Sequence, residues 1–233
     1  MNTMKRITKI TMAAITFLMI SFESFAQNKI SIVGGIHSAD ISASGINVDF
    51  LDIQTINRFT LGLTFERKID KFLTLKTGVI YKQKGFKLNE TTNVKVFDIA
   101  LPVGVKVTSE LNTIDIPLLL KLGFDNSSNI TPYVAVGPNF SYAISGVIKT
   151  KATAIIDFTL TNTPINLDSD NYKRLGIEGM IAGGISFPYG KGEITTEINY
   201  SHALNNFTSD SFIVDTGIRN RGVGFTLGYA INF

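Results

Sequence analysis

Nine charged side chains sit inside regularly alternating segments: Glu66, Lys76, Lys82, Asp115, Lys121, Arg174, Glu178, Glu193 and Glu197. Four are cationic and five anionic, and such a set has two uses, a salt-bridged interior or a path for ions or protons. The first is the simpler, because buried charges are normally paired. Two histidines, His37 and His202, add acid–base capacity near neutral pH. His37 falls on the same face as the charges and His202 on the opposite one, and no Ser-His-Asp or Asp-His pairing can be read from the spacing around either. HExxH, GxSxG and P-loop patterns do not occur. Cys is absent, which excludes disulfides, thiolate metal sites and a lipobox. Asp168 and Asp170 put two carboxylates in one loop, weak ground for a divalent cation. The chemistry on offer is a charge network, with no catalytic, cofactor-binding or metal-ligating residue expected.

The elements that must hold these charges are read from a period of two, the signature of a strand. Eight segments carry it: residues 29–38, 58–68, 73–84, 113–124, 130–144, 172–187, 193–204 and 218–233. Each is close to the ~9 to 11 residues with which a tilted strand crosses a bilayer. One face runs through Ile30, Ile32, Ile36, Phe59, Leu61, Leu63 and on to Val223, Phe225, Leu227, Tyr229, Ile231 and Phe233. No charge falls on that face in the central spans, as lipid requires, since one near the midplane costs ~2 to 4 kcal/mol. The other face carries the nine charges together with many of the strand glycines, among them Gly35, Gly62, Gly78, Gly184 and Gly222.

Connections sort by length. Residues 69–72, 125–129 and 188–192 are short turns, whereas 39–57, 85–112, 145–171 and 205–217 are long loops. That sorting predicts an all-β fold, an eight-stranded antiparallel up-and-down transmembrane β-barrel with its short turns in the periplasm. A soluble sandwich or jelly roll is not expected to sort its connections this way. An eight-stranded interior is just wide enough to be filled by side chains, so the mixed charges are expected to plug the lumen while glycines make room for them. Phe72, Phe124, Phe187, Tyr189 and Phe233 cluster at the short-turn ends, and Phe59, Tyr81, Phe86, Tyr142 and Tyr172 at the long-loop ends, as two interfacial girdles would. Within the loops, residues 85–112 are expected to extend two strands as a hairpin around Pro102, and 147–163 have a similar look. Such hairpins either offer edges to a protein partner or shield the barrel rim.

At the amino end Lys5, Arg6 and Lys9 precede an apolar run from Ile10 to Ile20 and the small-x-small site Ser24-Phe25-Ala26. This reads as a signal peptide, residues 1–26, cleaved after Ala26, leaving 27–233 as the barrel domain. The leader holds three basic residues and Glu23, so its removal lowers the formal charge of +3 by two. No Lys/Arg cluster remains that would mark a nucleic-acid partner.

Thr113-Ile114-Asp115-Ile116-Pro117-Leu118-Leu119-Leu120-Lys121 resembles the (Y/T)-x-(D/E)-I-P-L-L-L-K signature of the PorT-like outer-membrane β-barrel family common in Bacteroidetes, and Pro132-Tyr133-Val134-Ala135-Val136-Gly137-Pro138 resembles its PY-x-x-x-GP strand. With Gly179 to Ser186, Asn199-Tyr200-Ser201 and the terminal Asn232-Phe233, the resemblance spans essentially the whole chain after the leader. It implies an outer-membrane barrel and, through some members, participation in protein secretion. Prolines cannot donate to a ladder, so Pro117, directed inward, and Pro138 are expected to mark bulges or bends. By likeness to outer-membrane proteins generally, Tyr229, Ile231 and Phe233 are expected to form a signal read by the barrel-assembly machinery. The reading is thus an outer-membrane structural or interaction protein in contact with membrane lipid, without a cofactor, and with a possible protein partner at the long extracellular loops. A narrow channel or transporter and a barrel-type enzyme are the alternatives.

Overall fold

A computed structural model describes residues 28–44, 52–96, 99–124, 129–153, 157–167, 173–205 and 217–233. Alternation in these residues yields ten strands: β1 (Asn28–Ser44), β2 (Asp52–Gln54), β3 (Ile56–Lys68), β4 (Leu73–Val96), β5 (Ile99–Gly123), β6 (Thr131–Thr153), β7 (Asp157–Pro164), β8 (Leu175–Tyr189), β9 (Gly192–Ala203) and β10 (Gly217–Asn232). Eight close into a barrel in the order β1-β3-β4-β5-β6-β8-β9-β10, with β10 pairing back onto β1 and every pairing antiparallel. The eight expected segments correspond to these eight strands. Closure satisfies every ladder, which is what allows strands to lie in lipid.

The apolar face points outward. Ile32, Leu61, Leu63, Val79, Ile181 and Leu227 are each more than half exposed, a surface that only lipid would cover favourably. At the short-turn end Phe72, Phe124, Tyr189 and Phe233 stand exposed, and at the other end Phe59 stacks obliquely on Tyr81 at 5.9 Å. The two girdles therefore exist on the described residues; Tyr172 lies outside them.

Beyond the outer girdle residues 85–112 extend two strands as the expected hairpin, and only the place of Pro102 in it differs. β4 and β5 stay paired as far as Val96 and Ile99, and Pro102 lies within β5 opposite Asn93 instead of at the turn. β6 likewise runs on to Thr153 and returns as β7, while β1 and β10 stay paired as far as Ser44 and Gly217. Outside lipid no apolar face is demanded, so the alternation fades. The β-branched content of segments such as Val103-Gly104-Val105-Lys106-Val107 persists, and pairing satisfies their backbone. β2 adds to the extension of β4, so β2-β4-β5-β6-β7 form an open wall above the barrel.

The prolines act differently from the expectation too. Pro117 points into the lumen and is fully buried; the β4–β5 ladder skips the pairs at Ile116 and Pro117, the β5–β6 ladder skips those at Gly137 and Pro138, and the register on either side of each gap is the same. A missing N–H interrupts the ladder without adding a residue. The register shifts instead lie between Asn112 and Thr113 and between Thr150 and Lys151.

Candidate functional site

The inward face brings the predicted charges together in two clusters. In the one nearer the long-loop end, the Lys84 ammonium from β4 lies 3.0 Å from Asp115 Oδ2 and 2.5 Å from Glu178 Oε1, and donates to Ser141 Oγ at 3.0 Å. Lys82 Nζ stands 3.5 Å from the same Asp115 oxygen. Thr113 Oγ1 donates to Asp115 Oδ1 at 2.9 Å, and the Asn139 amide donates to both Asp115 (2.9 Å) and Glu178 (2.8 Å). Two cations face two anions, and all four are at least 97% buried. Burial this deep demands such matching, since an unpaired charge here would keep its whole desolvation cost.

The second cluster lies toward the short-turn end. Lys121 Nζ pairs with Glu66 at 2.8 and 3.0 Å, and Lys76 Nζ with Glu197 Oε2 at 2.5 Å. Tyr133 joins the two pairs: its hydroxyl donates to Glu197 Oε2 at 2.9 Å, and the Lys121 ammonium sits 4.0 Å from its ring centroid, a cation–π contact. Glu193 is nearer the mouth and pairs with Lys29 at 2.6 Å.

Between the clusters the inward positions turn mostly small or apolar. Leu119, Ala135, Met180 and Ala182 pack together, and a void of about 20 Å³, space for roughly one water, is lined by Val33, Ile80, Pro117, Leu119 and Met180 together with Thr60, Thr64, Asn199, Thr226 and the charged Lys76, Lys82 and Glu197. The lumen thus alternates charge layer, a packed layer of apolar and neutral polar groups, charge layer. Two inward glycines show how the wide groups fit. A Cβ on Gly222 would lie 2.5 Å from Cε1 of His37, and one on Gly184 would lie 2.6 Å from the Tyr133 ring. The glycines therefore make way for rings as much as for long charged chains.

Of the nine predicted residues, eight occupy these positions. Arg174 precedes β8, at the long-loop end, where its carbonyl accepts from Ala143 N at 2.8 Å and it lines a small cavity of about 30 Å³ with Lys84 and Glu178. Sequence reasoning missed Lys84, Asn139, Tyr133 and Lys29. Lys84 had the clearest signal, since it shares the parity of Lys76 and Lys82. A third group, also missed, lies above the outer girdle, where Glu110 accepts from Arg58 and from Lys149, the latter at 2.8 Å. Burial opposes ionisation of Glu110, but the hydrogen bonds from Lys149 and Arg58 outweigh it and hold its carboxyl below the ordinary carboxylate value.

The histidines are separate. His37 is buried against Gly222, and its Nδ1 has no hydrogen-bond partner among the described residues. His202 stacks on Tyr200, whose hydroxyl is 3.4 Å from its Nδ1. Asp168 and Asp170 lie outside the described residues, as does the expected leader. Tyr229, Ile231 and Phe233 stand exposed in one outward row, and Phe233 N donates to Asn28 O at 3.0 Å where β10 meets β1.

The family model described as "Outer membrane protein beta-barrel domain" matches residues 25–209. No curated protein sequence matches the chain. Among solved structures it is similar to Neisserial surface protein A at 10% identity, covering 86% of this chain and 96% of that one, with a TM-score of 0.43. OprG from Pseudomonas aeruginosa is similar at 14% identity, 88% and 97% coverage and a TM-score of 0.43. The outer membrane protease OmpT from Escherichia coli is similar at 9% identity, 91% and 99% coverage and a TM-score of 0.39.

Proposed function

This chain belongs to the outer membrane protein beta-barrel domain family, and from that premise we propose that it is a plugged barrel serving a structural or interaction role, with its long-loop side directed to a protein partner. It is an outer-membrane β-barrel protein. The observation that carries the plugged reading is the stack of two neutral ion-pair clusters with a closely packed layer of apolar and neutral polar side chains between them. Hydrated ions would have to shed water to pass that layer, where a cavity between the clusters has space for about one water. The interaction reading rests on the wall above the membrane. Its edge strand β7 carries Thr159, Leu160, Thr161, Asn162 and Thr163, all exposed and uncharged, between Asp157 and Pro164 at its two ends. An extended peptide could add to it as a further strand.

The finer parts of the reading follow the sequence. Export with cleavage after Ala26, PorT-like affiliation, association with protein secretion, and recognition of Tyr229, Ile231 and Phe233 by the assembly machinery are proposed with it. A non-enzymatic role is proposed because neither histidine has an orienting carboxylate bonded to it among the described residues. Photo-crosslinking tests the interaction reading: a crosslinker at Leu160 should give a discrete protein adduct in whole cells, whereas one at lipid-facing Ile181 should give none. Equal labelling at both positions would refute a partner at the wall.

A further inference from the structure

At the short-turn mouth the barrel opens into a cavity of about 240 Å³. Its charged lining is Lys29, Lys68, Lys71 and Lys121 against Glu66 and Glu193. Both glutamates are already engaged, Glu66 by Lys121 at 2.8 Å and Glu193 by Lys29 at 2.6 Å. That leaves Lys68, at the end of β3, and Lys71, in the turn to β4, exposed and without an ion-pair partner among the described residues. Hydroxyls of Thr74, Thr131 and Ser186 complete the wall as further donors. The cup therefore has two lysines without ion-pair partners at its rim, with the Asp70 carboxylate in the same turn held by the Lys71 backbone N–H at 2.7 Å, and a floor that the Lys121–Glu66 pair closes.

We propose that this mouth binds a carboxylate of an acidic peptide segment presented from the periplasm, with Lys68 and Lys71 as its counter-charges. Three features select that ligand. The volume is below the ~300 to 1,000 Å³ of sites that engulf whole small molecules, so it suits one or two side chains of a longer chain. The cup opens along the barrel axis on the side where short turns lie, which is the periplasm, whereas lipid headgroups are held outside the aromatic girdle of Phe72, Phe124 and Tyr189. The cations are lysines, mobile point charges that suit a carboxylate without demanding the planar fork an arginine would offer.

The test uses the refolded full chain in neutral detergent micelles and a capped, fluorescent hexapeptide of aspartates, with the equivalent asparagine peptide as control. Fluorescence anisotropy should show binding of the aspartate peptide only, weakening as salt is raised. The variant K68A/K71A should bind it at least about tenfold more weakly while keeping the heat-modifiable migration of the parent. Should the double variant fail to fold, Lys71→Glu alone, in the turn, should produce the same loss. Undiminished binding by the variants, or equal binding of the asparagine peptide, would overturn the proposal. Displacement of the peptide by inorganic phosphate or by anionic phospholipid vesicles as effectively as by unlabelled aspartate peptide would also overturn it, since the site would then take any anion or a membrane surface.

Discussion

The same strands run through two environments, and their charges behave differently in each. Inside the belt, Lys84, Lys82, Asp115 and Glu178 are almost wholly buried and share donors and acceptors in a matched set. A few residues further along β4, β5 and β6, Glu110 is held by Arg58 and Lys149, whose side chains remain about one-third exposed. Burial makes the first group obligatory and the second optional. Removing Lys84 from the lumen leaves two buried carboxylates with only Lys82 nearby, whereas a cation removed from the wall leaves Glu110 another partner and water nearby.

The sharpest way to break this contrast is Lys84→Met. It leaves Asp115 and Glu178 with one nearby lysine between them and should cost about 3 to 5 kcal/mol, read as a lower urea midpoint for unfolding from micelles. Pairing it with Glu178→Met should recover most of that loss, because a matched pair replaced by apolar groups is often close to neutral. No recovery would mean that the network itself, and not an unpaired charge, sets the cost. Leu119→Ala, which opens the packed layer without touching a charge, should cost about 3 kcal/mol in the same assay.

On the wall, Glu110→Gln should cost less than about 1 kcal/mol, and the loss should shrink in high salt. Its pH dependence has a definite sign. Because the folded-state carboxyl of Glu110 is held below the ordinary value of 4.5, its contribution is complete above that pH and is lost as pH falls through the lowered value. Proteolysis of the β4–β5 hairpin should therefore accelerate only below about pH 4.5, and the Gln variant should show a flatter profile. Lys149→Ala should leave barrel unfolding within about 0.5 kcal/mol of the parent.

Legibility in the sequence follows the same division. Lipid forbids charge on the outer face, so the parity of the spans from Phe59 to Phe65 and from Val223 to Phe233 reads directly as outward, and the opposite parity gives Asp115, Lys121 and Glu197 as inward. Tyr133 and Asn139 escape this logic, because a neutral polar group on the inward parity does not announce that it bridges two carboxylates or two ion pairs. Lys84 ends the 73–84 span on the parity of Lys76 and Lys82 and is legible; what is hidden is that the lumen continues past the point where the outward alternation stops. The β4–β5 hairpin is legible in the residual alternation of residues 85–112, but the place of Pro102 within it is not. Hydrophobic period is imposed by the solvent, and when the solvent becomes water on both faces only propensity remains.

The central claim is that the two ion-pair clusters and the layer of Leu119, Met180 and Ala182 close the lumen. Planar-bilayer recording on the purified, refolded protein addresses it directly. The account predicts no steady single-channel current at neutral pH, in the parent protein under either polarity. Reproducible unitary currents that scale with salt concentration would contradict it and make the charge layers the lining of a conduction path.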